Sequence, residues 1–269
     1  RRRRCKTTPP SSTRILDIRD AMLLNVENIT VHYSRLPALR GISVSVDEGE
    51  IVCIVGPNGA GKSTTLLSIS GVLNPTEGEI TFHGKRINGM SPEAVARAGI
   101  SQVPEGRHVF TSLSVEENLR IGTNMRKDRS DIEKDFKHVL EIFPVLAERR
   151  KQAAGKLSGG EQQMLVIGRA LLTNPRMMTI DEPSLGLAPN LVDRVYETLL
   201  ELRKDRGLTL LIVEQSSERA LTAADRLYVL RSGEMQLEGN AADLRDGEKV
   251  RQAYFGFEEG TTHEGEVAF

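Results

Sequence analysis

A run of five apolar residues, Ile51-Val52-Cys53-Ile54-Val55, leads directly into Gly56-Pro57-Asn58-Gly59-Ala60-Gly61-Lys62-Ser63-Thr64. This junction restricts what the chain can fold into more than any other segment. An unbroken β-rich run predicts a central strand covered on both faces. Gly56 and Gly61 stand five apart and are followed by Lys-Ser, the spacing of a phosphate-binding loop. Small residues there let successive backbone N–H groups point at one anion. Leu66, Leu67, Ile69 and Leu73 follow at helical spacing, so a helix starting near Gly61 adds its partial positive end. In such a loop Lys62 reaches the β- and γ-phosphates of a nucleotide, and the Ser63 hydroxyl ligates Mg2+.

The rest of the pattern agrees with an α/β fold. Strand-like runs recur at 177–180 and 208–213, separated by a helix through Leu191, Val195, Leu199 and Leu202, which predicts a parallel sheet flanked by helices. Leu23 to Val31 and Ile42 to Val46 alternate apolar and polar residues, and Gly49-Glu50 marks a turn after them, so an antiparallel lead-in sheet is expected. From Ser91 to about Lys156 the pattern is helical, with Ile132, Phe136, Val139, Leu140 and Phe143 at three- and four-residue spacing. We read that stretch as a helical insertion. A hairpin is expected around Ser232-Gly233, then short helices from Ala241 to Tyr254. The expected domain is 22–256. The arginine-led segment 1–21 and the acidic segment 257–269 read as disordered flanks. Met22 reads as the native start and 1–21 as an addition.

Composition removes several function classes. Lys and Arg number 36 against 37 Asp and Glu, which gives no electrostatic case for a nucleic-acid partner. No stretch reaches the roughly 18 apolar residues that cross a bilayer, so a soluble, cytosolic chain is expected. Cys5 and Cys53 cannot form a disulfide framework, and Cys53 reads as core. His32, His83, His108, His138 and His263 show no metal-ligand spacing.

The run Met177-Met178-Thr179-Ile180-Asp181-Glu182 is an apolar strand ending in two acids. A carboxylate at a strand's carboxyl end faces the nucleotide crevice of an α/β sheet. Asp181 is therefore expected at Mg2+, directly or through water, and Glu182 as the general base that polarises the attacking water.

Between these elements lies Leu157-Ser158-Gly159-Gly160-Glu161-Gln162-Gln163. Here the chain resembles the ABC ATPase family, and the resemblance runs from Leu23 to Gly256. It implies a P-loop NTPase of ABC ATPase type: a mixed sheet core, an antiparallel β lead-in and a helical subdomain insertion. The Ser158, Gly159, Gly160 and Glu161 segment would be the signature loop, addressing the ATP held by a second subunit. Tyr33 falls where an aromatic ring stacks on adenine. Pro183 to Pro189 occupies the loop facing the opposing subunit, with Ala188 where most members carry aspartate. The family's Mg2+-contacting glutamine is replaced by Glu105, Gln102 standing three residues early, and its switch histidine by Gln215, which cannot carry a proton as histidine does.

The combination of Val103-Pro104-Glu105-Gly106-Arg107-His108-Val109-Phe110, Ser158 to Leu165, Asp181 to Pro189 and Val213-Glu214-Gln215 is similar to the smaller ATPase of bacterial branched-chain amino acid importers. Both substitutions belong to that pattern, most of which related importers of urea and short amides share. The resemblance implies ATP and Mg2+ as cofactors and a heterodimer with a second related ATPase. It further implies two membrane permeases, an extracytoplasmic solute-binding protein acting indirectly, and a place on the cytoplasmic face of the inner membrane.

Overall fold

The computed structural model describes residues 22–245 and 247–256; the segments 1–21 and 257–269 lie outside them. Strands β1 (Met22–Tyr33) and β2 (Leu36–Asp47) form the antiparallel lead-in and extend beyond the alternation visible in the sequence. Then come β3 (Ile51–Val55), α1 (Lys62–Ile69), β4 (Glu77–Phe82), β5 (Lys85–Arg86), α2 (Pro92–Ala98) and β6 (Ile100–Val103). A helical stretch follows: α3 (Val115–Ile121), α4 (Arg129–Ile142), α5 (Pro144–Glu148), a 3-10 turn at Ala154–Lys156 and α6 (Gly159–Leu171). The chain returns through β7 (Met177–Asp181), α7 (Pro189–Arg206), β8 (Thr209–Glu214), α8 (Ser217–Ala223) and the hairpin β9 (Arg226–Arg231) and β10 (Glu234–Asn240). A 3-10 turn at Ala241–Leu244 and α9 (Glu248–Phe255) follow. Among the described residues no helix is long and apolar enough to cross a membrane.

Two sheets result. One has the order β2-β1-β4-β5, the other β10-β9-β3-β8-β7-β6. In the second, β9, β3, β8, β7 and β6 run parallel and β10 returns antiparallel. The continuous apolar strands reflect burial on both faces. Ile51, Cys53 and Val55 of β3 join one core with α6, α7 and the helical stretch, while Val52 and Ile54 join another with α1 and the antiparallel sheet.

One boundary differs from the sequence reading. The segment 91–156 is not wholly helical, because Ile100–Val103 is a strand that pairs with β7 from Ile100↔Met177 to Val103↔Ile180. Its four residues are too few to show a period, and only the left-handed Gly99 that ends α2, φ 114°, separates it from that helix. Helices uninterrupted by strand begin at Val115.

Caps explain several helix starts. Ser114 and Ser158 each form a reciprocal capping box with the glutamate three residues on. Helix α7 lacks such a cap: Ala188 is its N-cap and supplies no side-chain acceptor. Ala188→Asp is therefore expected to stabilise the fold by about 1 kcal/mol. The corresponding rise in Tm, roughly 2–4 °C for a chain of this size, is readable by thermal unfolding.

Candidate functional site

Three adjacent strands, β3, β8 and β7, end at one edge of the parallel sheet; the glycine loop, Gln215 and Glu182 follow their carboxyl ends, and Asp181 is the last residue of β7. After β3 the chain turns tightly through Gly56. A Cβ there would sit 2.1 Å from the carbonyl oxygen of Leu230, so only glycine lets the loop pass the β9 backbone. Gly61, at φ 110°, leads into α1. Ala60 donates to Pro57 (3.1 Å) and accepts from the Gly233 N–H (2.9 Å), and Gly233 in turn accepts from the Arg40 N–H (2.8 Å). The loop is thus seated on the β9–β10 turn and on β2.

Lys62 is buried, 4 % exposed. Its ammonium donates to the carbonyls of Gly56 (2.8 Å) and Pro57 (3.2 Å) and lies 3.2 Å from Glu182 Oε1. Glu182 accepts at its other oxygen from Gln215 Nε2 at 2.6 Å, and its N–H donates to the Val213 carbonyl. Its φ of 46° is left-handed, a conformation costing on the order of 1–2 kcal/mol for a side-chain-bearing residue. The flanking contacts hold it there. The buried Lys62 and Glu182 and the half-buried Gln215 form one connected set.

A cleft of about 600 Å³ opens over this set. Tyr33 stands at it, 48 % exposed, with Asn58, Gly59, Gly61, Lys62, Ser63, Thr64, Glu105, Glu182 and Gln215 along the walls. The structure therefore brings together the loop, both replaced sensor positions and the aromatic ring. Ser158, Gly159, Gly160 and Glu161 do not line this cleft. They form the start of α6, with Ser158 exposed, Gly159 and Glu161 half-buried and Gly160 buried, and Ser158 Oγ accepts from the Glu161 N–H. The Glu161 carboxylate is turned to the Ser158 N–H (2.7 Å) and to Arg149 (3.1 Å). Its role there is to cap the helix.

Asp181 tests whether a divalent cation fits. It is buried, yet its Oδ1 has no hydrogen-bond partner. Burial lifts its carboxyl to about 6; the Ser63 hydroxyl opposes that rise, and the nearby charges of Glu182 and Glu105 add to it. Hydroxyl and carboxylate oxygens converging there suit a hard cation such as Mg2+. Among the described residues no group of three His, Cys, Asp or Glu side chains could hold a metal alone. A Mg2+ site of this kind is completed by phosphate oxygens.

Two residues without a sequence signal complete the surroundings. Glu214 is 1 % exposed and accepts from Ser184 N (3.2 Å), Ser184 Oγ (2.9 Å), Tyr196 Oη (2.9 Å) and Gln215 N (3.2 Å). Burial, then the Glu214 charge, push the Tyr196 hydroxyl far up, so it remains a donor. This clamp fixes the loop after β7 against the loop after β8. Arg107 reaches the carbonyls of Leu185 and Gly186 from the other side.

The raised Asp181 value carries a pH signature. The protonated carboxyl is favoured by folding, so its contribution is full below the unfolded value of 3.8 and is lost as pH rises through about 6. In buffer free of Mg2+ and nucleotide, Asp181→Asn is expected to be more stable than the parent above pH 6, by up to about 3 kcal/mol. The two should converge below pH 4, as measured by denaturant unfolding across pH.

Comparison with known proteins agrees with this geometry. The family described as ABC transporter matches residues 39–185. The chain is 44 % identical over 234 residues to the high-affinity branched-chain amino acid transport ATP-binding protein BraG of Pseudomonas aeruginosa, covering 87 % of this chain and 100 % of that protein. It is 35 % identical to the probable branched-chain amino acid transport ATP-binding protein LivF of Archaeoglobus fulgidus, over 87 % of this chain and 99 % of that one. The crystal structure of the ADP conformation of MJ1267, an ATP-binding cassette of an ABC transporter, superposes with a TM-score of 0.76 at 34 % identity, covering 88 % of this chain and 99 % of that one. A strand-ending glycine loop, paired acids beyond a parallel neighbour and relatives matched over their whole length thus meet in one conclusion: the chain belongs to the ABC transporter family, as an ATP-binding, ATP-hydrolysing subunit that energises transport.

Proposed function

We propose that this chain hydrolyses ATP at the cytoplasmic face of a bacterial inner membrane to drive import of branched-chain amino acids. It works in a heterodimer with a second, related ATPase, against two permeases served by an extracytoplasmic solute-binding protein. The observation that carries the nucleotide half is the convergence of Lys62, Ser63, Glu182 and Gln215 on one cleft, with the buried Asp181 behind them hydrogen-bonded to Ser63. The substrate half is supported by 44 % identity to BraG along that protein's full length. The ATPase unit is residues 22–256.

In this reading adenine stacks on Tyr33, and the phosphates lie against the backbone of Gly56, Pro57, Asn58, Gly59, Ala60 and Gly61, with Thr64 beside them. Ser63 and Asp181, with Glu105 across the cleft, would hold Mg2+, which when bound neutralises charge on the phosphate oxygens. Lys62 exchanges its carbonyl and carboxylate partners for the β- and γ-phosphates. Glu182 then accepts the proton of the attacking water as its oxygen bonds to the γ-phosphorus and the bond to the β-phosphate oxygen breaks. Gln215 orients Glu182 through its amide N–H without taking the proton. Ser158, Gly159 and Gly160 present a helix start to the ATP of the opposing subunit, and Glu161 keeps that start formed.

Glu182→Gln is expected to bind ATP and to associate with its partner ATPase, while turnover falls by about 10²–10⁴-fold, the usual worth of a positioned base. Turnover equal to the parent would show that Glu182 is not the base. For the transport assignment, purification of the complex from membranes of the source is expected to recover permeases and a second ATPase. The ligand of the associated binding protein then reads out the solute.

A further inference from the structure

The segment from Gly106 to His108 is built unlike its surroundings. Three consecutive residues are left-handed, with φ of 80° at Gly106, 68° at Arg107 and 41° at His108, although only the first is glycine. The far end is anchored: Asn118, fully buried, accepts from Phe110 N at 2.9 Å and donates to Phe110 O at 3.0 Å. Arg169 of α6 donates to the His108 carbonyl at 2.9 Å and lies over the Phe110 ring at 5.3 Å. At the near end Glu105 lines the nucleotide cleft.

The twist aims Arg107 at two other loops. Its Nη2 donates to the carbonyls of Leu185 (3.3 Å) and Gly186 (3.1 Å). Its guanidinium also lies flat against Gly159, so closely that a Cβ on that glycine would meet Nη1 at 2.7 Å and Cζ at 3.0 Å. One side chain therefore touches the loop that follows Glu182 and the loop that starts α6. Both contacts use the planar fork of arginine: two carbonyls at one nitrogen and a flat face for a glycine, which an ammonium cannot supply together.

We propose that Arg107 is a positioning residue, set two places from Glu105, that ties the content of this chain's own nucleotide cleft to the surface it offers the opposing subunit. This rests on the ATP-site reading above. A shift of Glu105 toward cation and phosphate carries the Gly106–His108 twist with it, and Arg107 transmits the shift to Gly159 and to the Leu185–Gly186 carbonyls together.

The test separates binding from closure. In the isolated chain, Arg107→Ala is expected to bind a fluorescent ATP analogue within twofold of the parent and to keep its melting temperature. In the complex purified from source membranes, its kcat should fall at least tenfold with KM for ATP changed less than threefold. Arg107→Lys should recover less than a third of the lost kcat. In the Glu182→Gln background, Arg107→Ala should weaken ATP-dependent association of the subunits at least tenfold. Unchanged kcat and unchanged association, with normal analogue binding, overturn the proposal alone. A loss confined to analogue affinity also overturns it, since Arg107 would then serve only the cleft. Failure of the parent chain to bind the analogue overturns the ATP-site reading and this proposal with it.

Discussion

A buried ammonium facing a buried carboxylate organises this molecule. Lys62 and Glu182 are 4 % and 9 % exposed and 3.2 Å apart; Lys62 opens the helix after β3, and Glu182 follows β7, a strand that does not neighbour β3. Removing either partner of such a pair strands a charge in a poorly solvated place, which typically costs 3–5 kcal/mol. The surrounding architecture serves to keep the two together. β8 lies between β3 and β7 and contributes Gln215, whose amide meets the second Glu182 oxygen, and Glu214, whose four donors lock the loop beyond Glu182. Ordinary sheet hydrogen bonding thus becomes alignment of the side chains that line the cleft.

Much of this arrangement was legible along the chain because its signals are local. The glycine spacing from Gly56 to Lys62, the two acids ending the run at Asp181 and Glu182, and the Ser158-Gly159-Gly160 turn each occupy a few consecutive residues. The parallel sheet too could be read from the apolar runs, since burial on both faces leaves no alternation. Glu105 and Gln215 are legible through the family resemblance of the residues around them, and the fold places both at the cleft.

What was not legible depends on distance. Strand β6 hid inside a helical pattern because four residues cannot display a period, and its identity comes from pairing with β7. The hairpin of β4 and β5 has a two-residue second strand, held by its partner. Glu214 reads as one more acid beside Gln215, and nothing in its neighbours announces Ser184 and Tyr196 as donors. The contact of Glu161 with Arg149 carries no signal in the sequence either. Its contact with its own helix cap is local, since a carboxylate three residues into a helix has a backbone N–H donor within reach.

The seat of the phosphate loop has a wider meaning. Gly56 presses against the Leu230 carbonyl, and Ala60 is bonded to Gly233, itself bonded to Arg40. The loop is consequently a fixed datum of the molecule, against which the surrounding loops are measured. Leu230 and Gly233 bear no reactive group and sit far downstream of the glycine motif. They nevertheless inherit its steric rule, so the nucleotide site extends in substance to a hairpin that chemistry alone would never single out.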